Sequence, residues 1–254
     1  MKEIFYKNLQ KSVSEKEKQL AILIDPDKFD ISEVKSFLNK IPKETTHLLV
    51  GGSTVANGET EAAVQALKAE TELPIFLFPG DHSHITAFAD ALLFLTLLSG
   101  RNAEYLIGQQ IKSISKLKNF SLEIISTGYI LIDGGNNSSV SKVTNTEPLP
   151  QEDIEMIVDT ALAGQFMGAK LIYLEAGSGA KLPVKPEIIS KVKKAINIPL
   201  IVGGGIKTET QKQEAYNSGA DMIVMGTAYE ENPKSQIPNK SQISKIQIPK
   251  TANC

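Results

Sequence analysis

The 254-residue chain contains no tryptophan, one cysteine and three histidines. The lone cysteine, Cys254, excludes an intrachain disulfide and any cysteine-built metal site, and its terminal position makes it a bystander rather than a nucleophile. His82 and His84 lack the further ligands of a zinc site and read as loop residues. No apolar run is long enough to span a bilayer, and the N-terminus is charged and lacks a signal core, so a cytoplasmic protein is expected. An excess of positive charge is also missing. With 27 Lys and Arg against 29 Asp and Glu, the net charge of −2 argues against a nucleic-acid partner. What is present is an ordinary globular composition, 41% hydrophobic and 22% charged, on a length that suits one α/β barrel.

The most informative stretch is LIYLEAGSGAKLP at residues 171–183. An apolar run ends there in Glu175, and Gly177, Ser178 and Gly179 follow almost at once. This is the pattern of a buried strand that delivers chemistry at its C-terminal end. Glycines let a turn expose backbone N–H groups to an anion without interference from side chains. The design recurs in PLIVGGGIK at 199–207 and in DMIVMGT at 221–227. A single glycine turn is a weak signal. Three in series, the last two after the seventh and eighth strands, match the usual phosphate site of an eight-fold barrel.

The remaining elements support that count. Apolar runs at 20–24, 47–50, 74–78, 91–95 and 123–132 read as the first five strands. Ile4, Phe5 and Leu9 suggest an opening helix. Periodic apolar residues near 34–41, 62–67, 106–117, 154–166 and 186–196 mark helices between strands, and Thr208 with Gln211 forms a capping-box pattern for another. Only about a dozen residues separate the third and fourth strands, so the third helix is expected to be missing or replaced by a loop. Residues 133–150, rich in Gly, Ser, Asn and Pro, read as a long functional loop. The expected fold is therefore an α/β, TIM-like (β/α)8 barrel over residues 1–231; an open doubly wound sheet is the alternative. Residues 232–254, with three prolines, form an expected irregular or disordered tail.

Asp25 and Asp27 lie at the end of the first strand, on the side of the glycine turns. Carboxylates there suit Mg²⁺, which takes oxygen ligands and bridges to phosphates; an Asp-Pro-Asp-Lys turn and helix cap explains them equally well. Ser53 is either a further oxygen ligand or a cap. Lys28 reads as a surface lysine or as a counter-charge to a diphosphate. Tyr105 and Tyr129 are candidates for the wall of an apolar groove or for core packing.

IDPDK at 24–28, GGS at 51–53, LFPG at 77–80, RNAEYLIG at 101–108, TGYILIDGG at 127–135, YLEAGSG at 173–179 and VGGGI at 202–206 occur in that order. Together they resemble the geranylgeranylglyceryl phosphate synthase family, prenyltransferases of archaeal ether-lipid synthesis with bacterial relatives. The resemblance covers about residues 20–230. It implies a TIM-like barrel without the third helix, and Mg²⁺-dependent transfer of a prenyl group from an isoprenoid diphosphate to sn-glycerol 1-phosphate. It places the metal at Asp25 and Ser53 and the proposed base at Glu175. The glycerol phosphate site falls on Tyr173, Leu174, Glu175, Ala176, Gly177, Ser178, Gly179, Gly204, Gly205, Gly226 and Thr227. Geranylgeranyl diphosphate is the expected donor. A homo-oligomer and peripheral membrane contact through the lipid substrate are also expected. The tail departs from the family's regular closing helix. Two other classes share the late glycine turns: a sugar-phosphate isomerase or aldolase, and a non-catalytic phosphometabolite-binding barrel. The first should carry more acids or a lysine inside its strands, and none is evident.

Overall fold

The computed structural model describes residues 3–226. Thr227 and the tail at 232–254 lie outside them. The described chain runs α1 (Ile4–Ser14), β1 (Gln19–Ile24), α2 (Val34–Lys40), β2 (His47–Val50), α3 (Glu59–Lys68), β3 (Ile75–Leu77), β4 (Ala91–Leu97), α4 (Gln109–Leu117) and β5 (Glu123–Leu131). It continues through α5 (Ser139–Thr144), α6 (Ile154–Phe166), β6 (Leu171–Glu175), α7 (Pro186–Ala195), β7 (Leu200–Gly203), α8 (Glu209–Asn217) and β8 (Met222–Met225). Each strand pairs in parallel with the next, and β8 pairs with β1 to close the barrel. A closed parallel sheet is covered on both faces, which is why its strands read as continuous apolar runs.

Alternation along the strands separates two cores. Ile172 and Leu174 of β6 point outward into the layer between sheet and helices, with Ile188, Ile189 and Val192 of α7. Leu171 and Tyr173 point inward, where they meet Tyr129, Ile201 and Val224. The same period carries Glu175 inward at the top of β6. Local signals fix the helix ends: Pro186 stands in the first turn of α7, and Thr208 and Gln211 form both bonds of a capping box on α8.

No helix connects β3 to β4. A single 3-10 turn, His82–His84, stands there, capped by Asp81, whose side chain accepts from the Ser83 N–H at 2.7 Å. The 133–150 segment is more ordered than a plain loop. It contains α5, a helix of six residues held by the Ser138 hydroxyl, which accepts from the Ser141 N–H at 3.1 Å. A run such as SVSKVT has little helix propensity, so the cap and its packing decide its conformation.

The bottom of the barrel is closed by α1. Tyr6 and Leu9 are buried, and Phe5 packs edge-on against Phe76 at 5.6 Å, whereas Ile4 is exposed, against its expected role in the apolar face. The buried carboxylate of Glu123 sets this orientation. It accepts the N–H groups of Ile4, Phe5 and Tyr6 at 2.6, 2.8 and 2.7 Å, which supplies α1 with an N-terminal cap from β5. Glu123→Ala would leave those donors without their carboxylate. We expect a loss of about 2–3 kcal/mol in denaturant unfolding, together with early proteolysis within residues 4–14. Unchanged stability would show that α1 docks through its apolar contacts alone.

Candidate active site

The C-terminal ends of the strands surround a cavity lined by Asp25 and Lys28 after β1, Gly51, Gly52 and Ser53 after β2, and Glu175 with Gly177–179 after β6. Gly204, Gly205 and Lys207 after β7 and Gly226 after β8 complete the ring. Asp25 and Ser53 therefore share one chamber with the glycine turns, as the sequence pattern suggested. Leu174 and Ala176 do not face it: their side chains lie in the outer core, so only their backbone belongs to the rim. Tyr173 is fully buried beneath the chamber.

Glu175 is the organising group. Its Oε1 accepts the Gly177 N–H at 2.7 Å. The backbone of β7 closes round the carboxylate: a Cβ on Gly203 would come within 2.5 Å of the Tyr173 hydroxyl and 2.8 Å of Glu175 Oε2. A Cβ on Gly204 would collide with Oε1, and Gly204 also has φ +79°, a left-handed conformation that disfavours a side chain. Gly203 is thus a functional position absent from the expected site. Its signal was the first glycine of VGGGI, and only closure of the barrel shows why all three are needed.

Burial pushes the Glu175 carboxyl up to about 7, with the neighbouring Tyr173 hydroxyl and Gly177 N–H partly opposing that shift. Burial, with Glu175 next to them, raises both Tyr129 and Tyr173 well above the ordinary phenol range, so both hydroxyls stay protonated. Neither hydroxyl has a hydrogen-bond partner of good geometry among the described residues. Their rings pack edge to face at 5.4 Å, and Phe78 stacks on Tyr173 at 5.2 Å.

A second, apolar groove adjoins the first cavity. Phe78, Pro79 and Gly80 after β3, Leu92, Leu93, Phe94 and Leu95 of β4, Tyr105, and Val140 and Val143 of α5 form its walls. Leu93 and Leu95 lie in the barrel interior, while Leu92 and Phe94 belong to the outer layer. The groove therefore crosses the top of β4 into the space that a third helix would occupy. Gly52, Ser53, Phe78, Tyr129 and Val140 border both cavities. Tyr105 and Tyr129 both border the groove, and Tyr129 at the same time packs in the inner core. The two α5 valines were missed, because α5 carries no helical periodicity of its own, whereas Phe78 ends the third apolar run and takes its place in the groove once the barrel closes.

Asp25 forms the expected turn and also borders the cavity. Its Oδ1 accepts the Asp27 N–H at 3.2 Å as a turn, and its Oδ2 pairs with Lys28 Nζ at 2.8 Å while the side chain borders the cavity. Asp27 instead accepts the Ala56 N–H at 2.9 Å. Ser53 does not cap α3, whose N-cap is Gly58. Its hydroxyl is thus not engaged in the capping role. Among the described residues no cluster of three or more His, Cys, Asp or Glu is arranged to hold a metal. Two hard oxygen donors, Asp25 and Ser53, fit a cation that takes its other ligands from water and a bound phosphate.

The fold and site define a TIM-type barrel enzyme class, with a glycine-lined mouth opening onto an apolar groove. The chain belongs to the PcrB family, whose model matches residues 12–244. It is 54% identical over 213 residues to the geranylgeranylglyceryl phosphate synthase of Zunongwangia profunda, covering 84% of this chain and 91% of that protein. The enzyme of the same name from Thermococcus kodakarensis is 43% identical over 220 residues, 85% of this chain and 86% of the relative. Among solved structures, the (S)-3-O-geranylgeranylglyceryl phosphate synthase of Thermoplasma acidophilum in complex with its substrate sn-glycerol-1-phosphate superimposes with a TM-score of 0.82. It is 32% identical and covers 89% of this chain and 92% of its own.

The raised Glu175 carboxyl has a consequence for stability. An unfolded chain releases this proton near 4.5, whereas the folded protein holds it to about 7. Folding stability from this group is therefore full below pH 4.5, falls as pH rises to 7, and stays lower above it, by about 3 kcal/mol. Glu175→Gln should be more stable than the native protein at pH 8 and show no advantage at pH 4 in denaturant titrations. An advantage that does not vary with pH would contradict the buried-carboxylate reading.

Proposed function

We propose that this protein transfers a prenyl group from an isoprenoid diphosphate to sn-glycerol 1-phosphate, releasing pyrophosphate and forming the first ether bond of a glycerol ether lipid. The observation that carries this reading is the meeting of two cavities of opposite character, one ringed by glycine turns and one by apolar side chains, with Glu175 at the first. The glycine turns suit the acceptor's phosphate, and the groove suits a chain of isoprene units, with geranylgeranyl diphosphate as the donor. Solved and curated relatives named for this activity support the same assignment.

The chain's own groups account for the steps. Turns at Gly179, Gly204 and Gly205, all at positive φ, hold the phosphate through backbone N–H groups and so fix the acceptor, while the Gly177 N–H stays on Glu175. Asp25 and Ser53 would hold Mg²⁺, which when bound supplies charge neutralisation for the departing diphosphate. Lys28, beside Asp25, adds positive charge on the same wall. Glu175, poised near 7, takes the proton of the acceptor hydroxyl as the new bond forms. The groove excludes water from the reacting carbon.

Incubation with labelled glycerol 1-phosphate, Mg²⁺ and prenyl diphosphates of several lengths should yield an organic-extractable product, largest for the geranylgeranyl donor. No product at any length would overturn the proposal. Glu175→Gln should lower turnover about 10²–10⁴-fold and leave glycerol phosphate affinity nearly unchanged in calorimetry. Near-normal turnover would remove Glu175 as the base. EDTA should abolish turnover, and Asp25→Asn should lose most of it with the fold intact. Full activity of Asp25→Asn in EDTA would remove the metal assignment.

A further inference from the structure

We propose that the rings of Phe78 and Tyr129 cradle the allylic cation that develops during transfer, which makes them catalytic residues alongside Glu175. This rests on the prenyl-transfer reading above. A donor whose tail lies in the groove and an acceptor whose phosphate lies among the glycine turns can react only where the cavities meet. Five residues border both cavities, and among them Phe78 and Tyr129 contribute the aromatic surface.

What Tyr129 presents at this junction is its ring. Its hydroxyl is sealed from solvent, so the residue borders the two cavities through its ring. Phe78 is half-buried and has nothing but a ring to offer. The two ring centres are 5.8 Å apart, and Tyr173, packed against both, holds them in place. In the transfer, the bond between the allylic carbon and the diphosphate oxygen breaks and its electron pair leaves with pyrophosphate. The acceptor hydroxyl oxygen then bonds to that carbon and its proton goes to Glu175. Between these events the carbon skeleton carries a delocalised positive charge in a site with little water. Aromatic faces stabilise such a charge without capturing it as a nucleophile, and desolvation strengthens the attraction. Ser53, in the same shared wall, keeps the oxygen-rich side of the donor next to the rings.

The test uses the full chain with mono-, di- and trifluorinated phenylalanine at position 78, which keep the ring's shape and progressively withdraw its negative face. Turnover is expected to fall stepwise with each fluorine, while affinity for an unreactive prenyl thiodiphosphate stays constant. At position 129, Tyr129→Phe should keep turnover within about threefold, and Tyr129→Leu should lose about thirtyfold, the scale of a desolvated cation–π contact. A flat fluorination series in a protein whose native form is active would overturn the cradle and leave the prenyl-transfer reading intact. So would losses that follow weakened binding of the thiodiphosphate. Absence of ether product from the native protein would overturn both.

Discussion

The architecture of the mouth depends on keeping one carboxylate inside a barrel. Glu175 sits at the top of β6 with its side chain directed inward, where solvation is poor and ionisation is costly. One N–H from Gly177 and the bare backbone of Gly203 and Gly204 make room for it and hold it. Those glycines cannot be exchanged for anything larger without displacing the carboxylate. The turns they create also line the cavity at the barrel mouth, so the backbone that makes room for the carboxylate is the backbone that shapes the chamber. Two buried tyrosine rings accompany it; the Tyr129 hydroxyl has no hydrogen-bond partner among the described residues, a cost of about 1–3 kcal/mol that burial of the large ring offsets.

A second constraint shapes the neighbouring wall. Where a regular barrel would place a helix between β3 and β4, this chain has one 3-10 turn, and an apolar groove opens over β4. α5 covers the far side with Val140 and Val143. The absent helix and the added short one therefore shape the same groove. Closure of the bottom by α1 through Glu123 leaves the upper end of the barrel as the open one.

Much of this was legible in the chain itself. Parallel strands buried on both faces announce themselves as apolar runs, and the glycines after 175, 203 and 225 mark where they end. The short spacing between 78 and 91 was enough to indicate the lost helix. Other features depend on contacts distant in sequence. The role of Gly203 appears only when β7 lies against Glu175, and the inward turn of Phe78 only when β3 takes its place in the barrel. α5 escaped notice because its six residues lack apolar periodicity and depend on a serine cap and on packing against the groove. Ile4 was assigned to the buried face by its spacing, yet the Glu123 carboxylate turns α1 so that Phe5, Tyr6 and Leu9 face inward instead. In each case a tertiary contact overrode or completed a local pattern.

The central claim is spatial: a phosphate-bearing acceptor and an apolar donor meet beside Glu175 where two cavities join. A crystal structure with sn-glycerol 1-phosphate and an unreactive prenyl thiodiphosphate tests it most directly. The expected result places the phosphate on the turns at 177–179 and 204–205, the prenyl chain along β4, and the acceptor hydroxyl within hydrogen-bond reach of Glu175. A phosphate seated away from those turns, or a prenyl chain lying outside the groove, would contradict it.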